Sequence, residues 1–241
     1  MRAVTVLVHM GAFLGFVLGA IVLAPRIAHS EGRYWGGLFV QIQQPIAGKG
    51  SNKLSFENDK YGIEIPMYDM DLKYTDPKVS FGVGYRHEIG ESGVYVGIKG
   101  AVHFDTFTGS ESWSVHEGDI GARVDFVSKT LYTLGLELGA ELSPKILGYI
   151  GGGLAASEMT ICGQAHVLEH SVADCANGFA PGFYGTAGAL ADLGKGWAVG
   201  GELQFLHFEG EEEVTAAKYD LGNLKMDVDE FLIKVTLEKR F

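Results

Sequence analysis

Proline is scarce in this chain, with 6 residues in 241, and cysteine is scarcer, with 2. Positive charge is short as well: 19 Lys and Arg stand against 30 Asp and Glu, a net charge of −11. After residue 30 there is no apolar run near the roughly 20 residues a membrane-spanning helix needs. Nor is there a Gly-rich phosphate loop, a cofactor fingerprint or a strong metal-ligand spacing. Each shortage excludes something. An acidic chain repels phosphates, so nucleic acid is excluded as a partner. Helical membrane spans are excluded downstream of residue 30, and no cofactor is expected.

What is plentiful points the other way. Glycine numbers 35, with 14 Phe and 10 Tyr. Glycine and aromatics with little proline fit many short strands better than a helical bundle. Mean hydropathy is positive, +0.11, although no spanning helix follows the leader. A transmembrane β-barrel gives this combination, because only alternate strand residues face lipid. A soluble β-protein with a large core gives it too.

Residues 1–30 read as an export signal. Arg2 precedes an apolar stretch from about Val4 to Ala24, Pro25 and Arg26 end it, and Ala28-His29-Ser30 offers small residues two apart. Basic start, apolar middle and small-x-small site are the order of a secretory leader. Cleavage is expected after Ser30, leaving a mature domain over residues 31–241. Loss of Arg2 and Arg26 makes the balance two charges more negative still. In an exported chain the two cysteines, Cys162 and Cys175, are expected to form a disulfide.

The final segment, Glu230 to Phe241, shows the pattern most cleanly. Phe231, Ile233, Val235, Leu237 and Phe241 fall on one parity, and Glu230, Lys234, Thr236, Glu238 and Arg240 on the other. Strand side chains alternate with period two, so this is one apolar and one charged face. Seven further stretches alternate: 34–44, 79–89, 94–104, 131–142, 146–156, 182–193 and 197–208. Tight turns follow the second, fourth and sixth (Gly90–Gly93, Ser143–Lys145, Gly194–Gly196). Long polar segments, about 45–77, 105–130, 158–181 and 209–226, lie between the others and read as loops. Ile120, Ala122, Val124 and Phe126 alternate in phase with Tyr132 to Leu142, so the fourth strand is expected to run past the membrane beside an extended third. Export, even strand count, alternating short and long connections and a terminal aromatic resemble the OmpA/OmpX-like, porin-family eight-stranded outer-membrane proteins of Gram-negative bacteria. The resemblance implies an all-β, up-and-down transmembrane barrel with short periplasmic turns and four long extracellular loops. It also implies that Phe241 is read by the barrel-insertion machinery. The implied partners are outer-membrane lipid, lipopolysaccharide and a host or surface ligand held by the loops.

Which face meets lipid follows from what each carries. The apolar faces are nearly free of charge, with aromatics near strand ends (Tyr34, Phe104, Tyr132, Phe183, Trp197, Phe231, Phe241) where interfacial girdles sit. The opposite faces carry Arg86, Glu88, Lys99, Glu137, Glu141, Asp192, Glu202, Lys234, Glu238 and Arg240 among glycines at 82, 84, 97, 135 and 188. An eight-stranded interior is just wide enough for side chains to fill it. A lumen plugged by paired charges is therefore expected, because unpaired buried charge is costly.

Three functions remain open from sequence. The first is a non-catalytic surface barrel serving envelope integrity, adhesion or host contact, as a surface antigen. The second is a small cation-preferring channel. The third is a lipid A-modifying enzyme using His103 with Asp105, or His207 with a loop Ser or Glu. His166, Glu169 and His170 match the order of inverted zinc proteases, which requires both histidines on one helical face. Confined between two cysteines, they read as a solvated helical turn. The acidic run Glu209–Glu213 reads as a solvated loop or a divalent-cation ligand.

Overall fold

The computed structural model describes residues 35–58, 63–76, 78–104, 106–115, 120–167, 170–216 and 219–241. They form β1 (Gly37–Asn58), β2 (Ile63–Asp76), β3 (Ser80–Glu88), β4 (Val94–His103), β5 (Thr106–Val115), β6 (Ile120–Ser143), β7 (Ile146–Val167), β8 (His170–Gly194), β9 (Trp197–Ala216) and β10 (Tyr219–Arg240). All neighbours pair antiparallel. The last strand returns to the first, from Phe39↔Arg240 to Glu57↔Asn223, which closes the barrel. Closure leaves no sheet edge at membrane depth, where an unpaired backbone group has no water to bond.

Ten elements make eight barrel strands. β1 pairs with β3 through residues 37–43 and with β2 through residues 49–58. β2 and β3 are thus two lengths of one strand, and β2 ends just before Pro77, a residue with no N–H to give a ladder. β4 and β5 are likewise successive partners of β6.

The segments expected to be loops are mostly strand. Residues 45–58, 63–76, 106–115, 120–130, 158–167, 170–181, 209–216 and 219–226 all extend the barrel hairpins. The fourth strand does run on beside an extended third, Phe107↔Ser128 to Val115↔Ile120. The expected phase fails, however. The register shifts between Ser128 and Leu131, and an extra residue at a bulge moves everything beyond it to the opposite face. Phe126 therefore points inward and is fully buried, while Leu134 and Leu136 point outward. A second shift between Pro45 and Ala47 does the same in β1.

The three tight turns lie at one end. Gly90, Gly93, Gly194, Lys195 and Gly196 take positive φ there, a conformation glycine enters without a Cβ clash. The Gly93 amide donates to the Glu88 carboxylate at 3.0 Å, so Glu88 caps this turn at the barrel mouth.

Candidate functional site: the barrel interior and the outer rim

The strands carry their side chains in two registers of polarity. Outward from β10 point Phe231, Ile233, Val235 and Leu237, and beyond them Lys225, Asp227 and Asp229. From Phe231 to Phe241 is about 34 Å along a strand, or about 26 Å along an axis tilted by about 40°, which matches an apolar band of about 25 Å. Exposed Leu134, Leu136, Leu138, Ile150, Leu154, Phe183, Leu203 and Phe205 continue the band around the wall. At its turn end Lys239 reaches over Trp197 (5.3 Å to the ring centre) and Phe241 (5.9 Å). A cation on a long stem over interfacial aromatics is how such a band ends at water.

Within the band the interior is ionic. Arg86 lies between Glu137, its Nε partner, and Glu238, 2.8 Å from Nη1. Its guanidinium stacks 4.0 Å over Phe39, whose ring occupies the space a Cβ on Gly84 would need. Arg240 pairs with Asp192 and covers Trp35. Lys99 meets Glu202 at 2.6 Å, and the same carboxylate accepts from the Tyr149 hydroxyl at 2.9 Å. A methyl on Gly188 would stand 2.5 Å from that hydroxyl, so glycine is required opposite the ring. Lys234 donates to Gln204 and to His103 Nδ1, the latter at 3.2 Å. Gln41 donates to Glu238 and Gln43 to Glu202. The cations Arg86, Lys99, Lys234 and Arg240 thus share one buried network with Glu137, Glu202, Glu238 and Asp192. Glu141 lies nearer the mouth and accepts from Tyr95 at 2.7 Å.

Above the band the interior turns apolar. Met70, Leu72, Phe107, Phe126, Met159, Ile161, Leu206, Phe208, Met226, Val228 and Leu232 are buried in one cluster. The sequence reading had not anticipated it. The signal was present in the alternation of Leu206, Phe208, Met226, Val228 and Leu232 with charged neighbours, but its parity is that of the ionic face. In this upper half β2 and β5 pair only from Lys73↔Thr108 to Asp76↔Thr106. A cavity of about 350 Å³ sits where they part, lined by Asp71, Lys73, Ser110, Asp125 and Phe126 among others.

The remaining candidates fall in different places. Cys162 and Cys175 are bonded, 4.1 Å apart at Cα and directly opposite in the β7–β8 hairpin, so they staple two strands and not a loop. His166 and His170 stand on the two strands of that hairpin near its tip, not on one helical face, so the inverted-protease geometry and the helical turn are both corrected. Glu169 lies outside the described residues. His103 points into the lumen beside Thr133 and Lys234, away from lipid, and Asp105 lies outside the described residues. His207 is on the outer wall just above Phe205. Its ring Nδ1–H donates to the Asp229 carboxylate at 2.9 Å, and Nε2 lies 3.4 Å from Glu209. The hydrogen bond to Asp229 raises the pKa of His207 above its usual value.

The sequence matches the family model described as the outer membrane protein beta-barrel domain over residues 14–238, nearly the whole chain. The chain belongs to this outer-membrane β-barrel family, and its place is the outer membrane. Among solved structures it is similar to the outer membrane protein OprG from Pseudomonas aeruginosa, with 12% identity, TM-score 0.47, and coverage of 87% of this chain and 99% of that one. Neisserial surface protein A gives 8% identity, TM-score 0.36, and coverage of 85% and 97%. Ail, the attachment invasion locus protein of Yersinia pestis, gives 9% identity, TM-score 0.32, and coverage of 83% and 97%. No curated protein matches the sequence.

Proposed function

We propose that this protein is a non-catalytic, non-conducting barrel that holds a stiff extracellular β-extension above the outer membrane for surface contact or envelope integrity. The observation that carries the reading is the filled interior. An ionic network occupies the membrane section, and a packed apolar cluster lies above it. An ion leaving the network would have to cross that cluster without hydration, which costs several kcal/mol or more. The extension is hairpin strand stapled by Cys162–Cys175, so it presents a shaped surface and not a set of mobile loops. Removal of residues 1–30 during export and recognition of Phe241 during insertion belong to the same proposal. Planar-bilayer recording on the refolded protein tests it: no stable conductance steps are expected, and reproducible steps would defeat it. Lipid A acyl patterns with and without expression test the non-catalytic part, and are expected to be the same.

A further inference from the structure

At the upper edge of the apolar band β9 and β10 place His207 opposite Asp229 and Glu209 opposite Asp227, all four pointing outward. The imidazole Nδ1 lies 2.9 Å from Asp229 Oδ1 and 3.5 Å from Asp227 Oδ1, and Nε2 lies 3.4 Å from Glu209 Oε1. Ligand atoms of His207, Asp227 and Asp229 all fall within 4.8 Å of one another. The Phe183 ring packs against the imidazole with its centre 4.8 Å away.

Two features set this group apart from an ordinary solvated acidic face. Glu209 and Asp227 are directly opposite, and like charges at such a ladder position destabilise the pair. The group also packs against Phe183 and stands two positions along the ladder from the Phe205–Phe231 pair, at the border of a low-dielectric layer where clustered carboxylates repel one another more than in open water. The next outward residue on β10, Lys225, supplies one positive charge two residues further on. One imidazole nitrogen with two or three carboxylate oxygens is a donor set that zinc accepts, at metal distances of about 2.0–2.2 Å. A hard cation such as Mg²⁺ favours all-oxygen ligands and matches the imidazole poorly.

We propose that His207, Asp227 and Asp229, with Glu209 beside them, form a zinc-type divalent metal site on the outer wall just above the apolar band, at the level of the lipid headgroups. The ion neutralises the cross-strand repulsion and joins β9 to β10 where the barrel leaves the membrane. Its remaining coordination positions face water and the headgroup layer.

The test is titration of Zn²⁺ into the refolded full-length mature protein in detergent micelles free of lipopolysaccharide. One ion per chain is expected to bind, with an affinity at least tenfold weaker in His207→Ala and in Asp229→Asn and unchanged in Asp71→Asn. The His207 ring resonances should shift with the same stoichiometry. No binding at millimolar Zn²⁺ would overturn the proposal. So would binding that survives His207→Ala and disappears in His170→Ala, because the ion would then belong to the hairpin tip. Since the four side chains lie outside the barrel, gel mobility of the folded form separates loss of the site from loss of the fold.

Discussion

The lower and upper halves of the same strands solve opposite solvent problems. Below Phe231 and Phe205 the outward positions are Leu, Ile, Val and Phe, and the inward ones are Arg86, Lys99, Lys234 and their carboxylates. Above that line the outward positions include Lys225, Asp227, Asp229, Thr160 and Asn177, and the inward ones are Met159, Phe126, Phe208 and Val228. The upper half is built as a water-soluble protein is, with its apolar side chains inside. The lower half is turned inside out because lipid surrounds it. No domain boundary separates the two: β10 runs through both from Tyr219 to Arg240. A chain can thus change its surrounding solvent along one strand by exchanging which parity is apolar, with the backbone ladder unbroken.

The largest expected effect breaks the lower interior. Arg86→Ala leaves Glu137 buried without its cation and Glu238 with only the longer 3.8 Å ion pair to Arg240, and should cost about 3–5 kcal/mol of unfolding free energy in detergent. Urea titration of the refolded protein measures it. Phe208→Ala opens the upper core and should cost about 3–5 kcal/mol locally. Here the signature is faster protease cleavage in the extension, while the membrane section keeps its folded gel mobility.

Charge placed outside sharpens the contrast. Leu136→Arg faces mid-bilayer and should cost about 2–4 kcal/mol, whereas Thr160→Arg, on the same wall higher up, should be near neutral. Removing the staple with Cys162→Ser and Cys175→Ser should cost up to about 3 kcal/mol on the chain-entropy model, all of it in the β7–β8 extension. Hydrogen exchange at residues 158–167 should rise and exchange at 182–193 should not.

The smallest effect concerns the border. The Asp229 hydrogen bond holds the pKa of His207 above its usual value. Its contribution to stability is therefore fully present below about pH 6.5 and is lost as pH rises through the raised value. The group is near the surface, so a few tenths of a kcal/mol is the expected size without metal. Asp229→Asn should return the ring titration toward the ordinary range, read by NMR.

Much of the lower half was legible in the sequence. Outward Phe231, Ile233, Val235 and Leu237 against inward Lys234, Glu238 and Arg240 is a pattern that only a strand between two different media produces. The three tight turns fixed the even count. The upper half was hidden for two physical reasons. Its outward side chains are polar, so a segment such as 209–226 reads as a loop although residues 209–216 and 219–226 are paired strand. Bulges near Ile46 and Lys129 also invert parity, so Phe126 counted on the lipid face when it lies in the core. The individual partners of Arg86 and Lys99 depend on which strands meet across the lumen, which spacing along one strand does not contain. The cluster around His207 stayed dispersed because Asp227 and Asp229 come from the next strand and meet it only through register.

The central claim is the exchange of apolar and polar parity at the level of Phe205 and Phe231. It is tested most directly by single spin labels at outward positions 136, 203, 160 and 229 of the protein reconstituted in bilayers, with a label at inward 126 for comparison. Oxygen dissolved in lipid should relax the labels at Leu136→Cys and Leu203→Cys, and a water-soluble nickel chelate should relax those at Thr160→Cys and Asp229→Cys. Neither should reach Phe126→Cys. A lipid signature at 160 and 229, or a water signature at 136 and 203, would contradict the account.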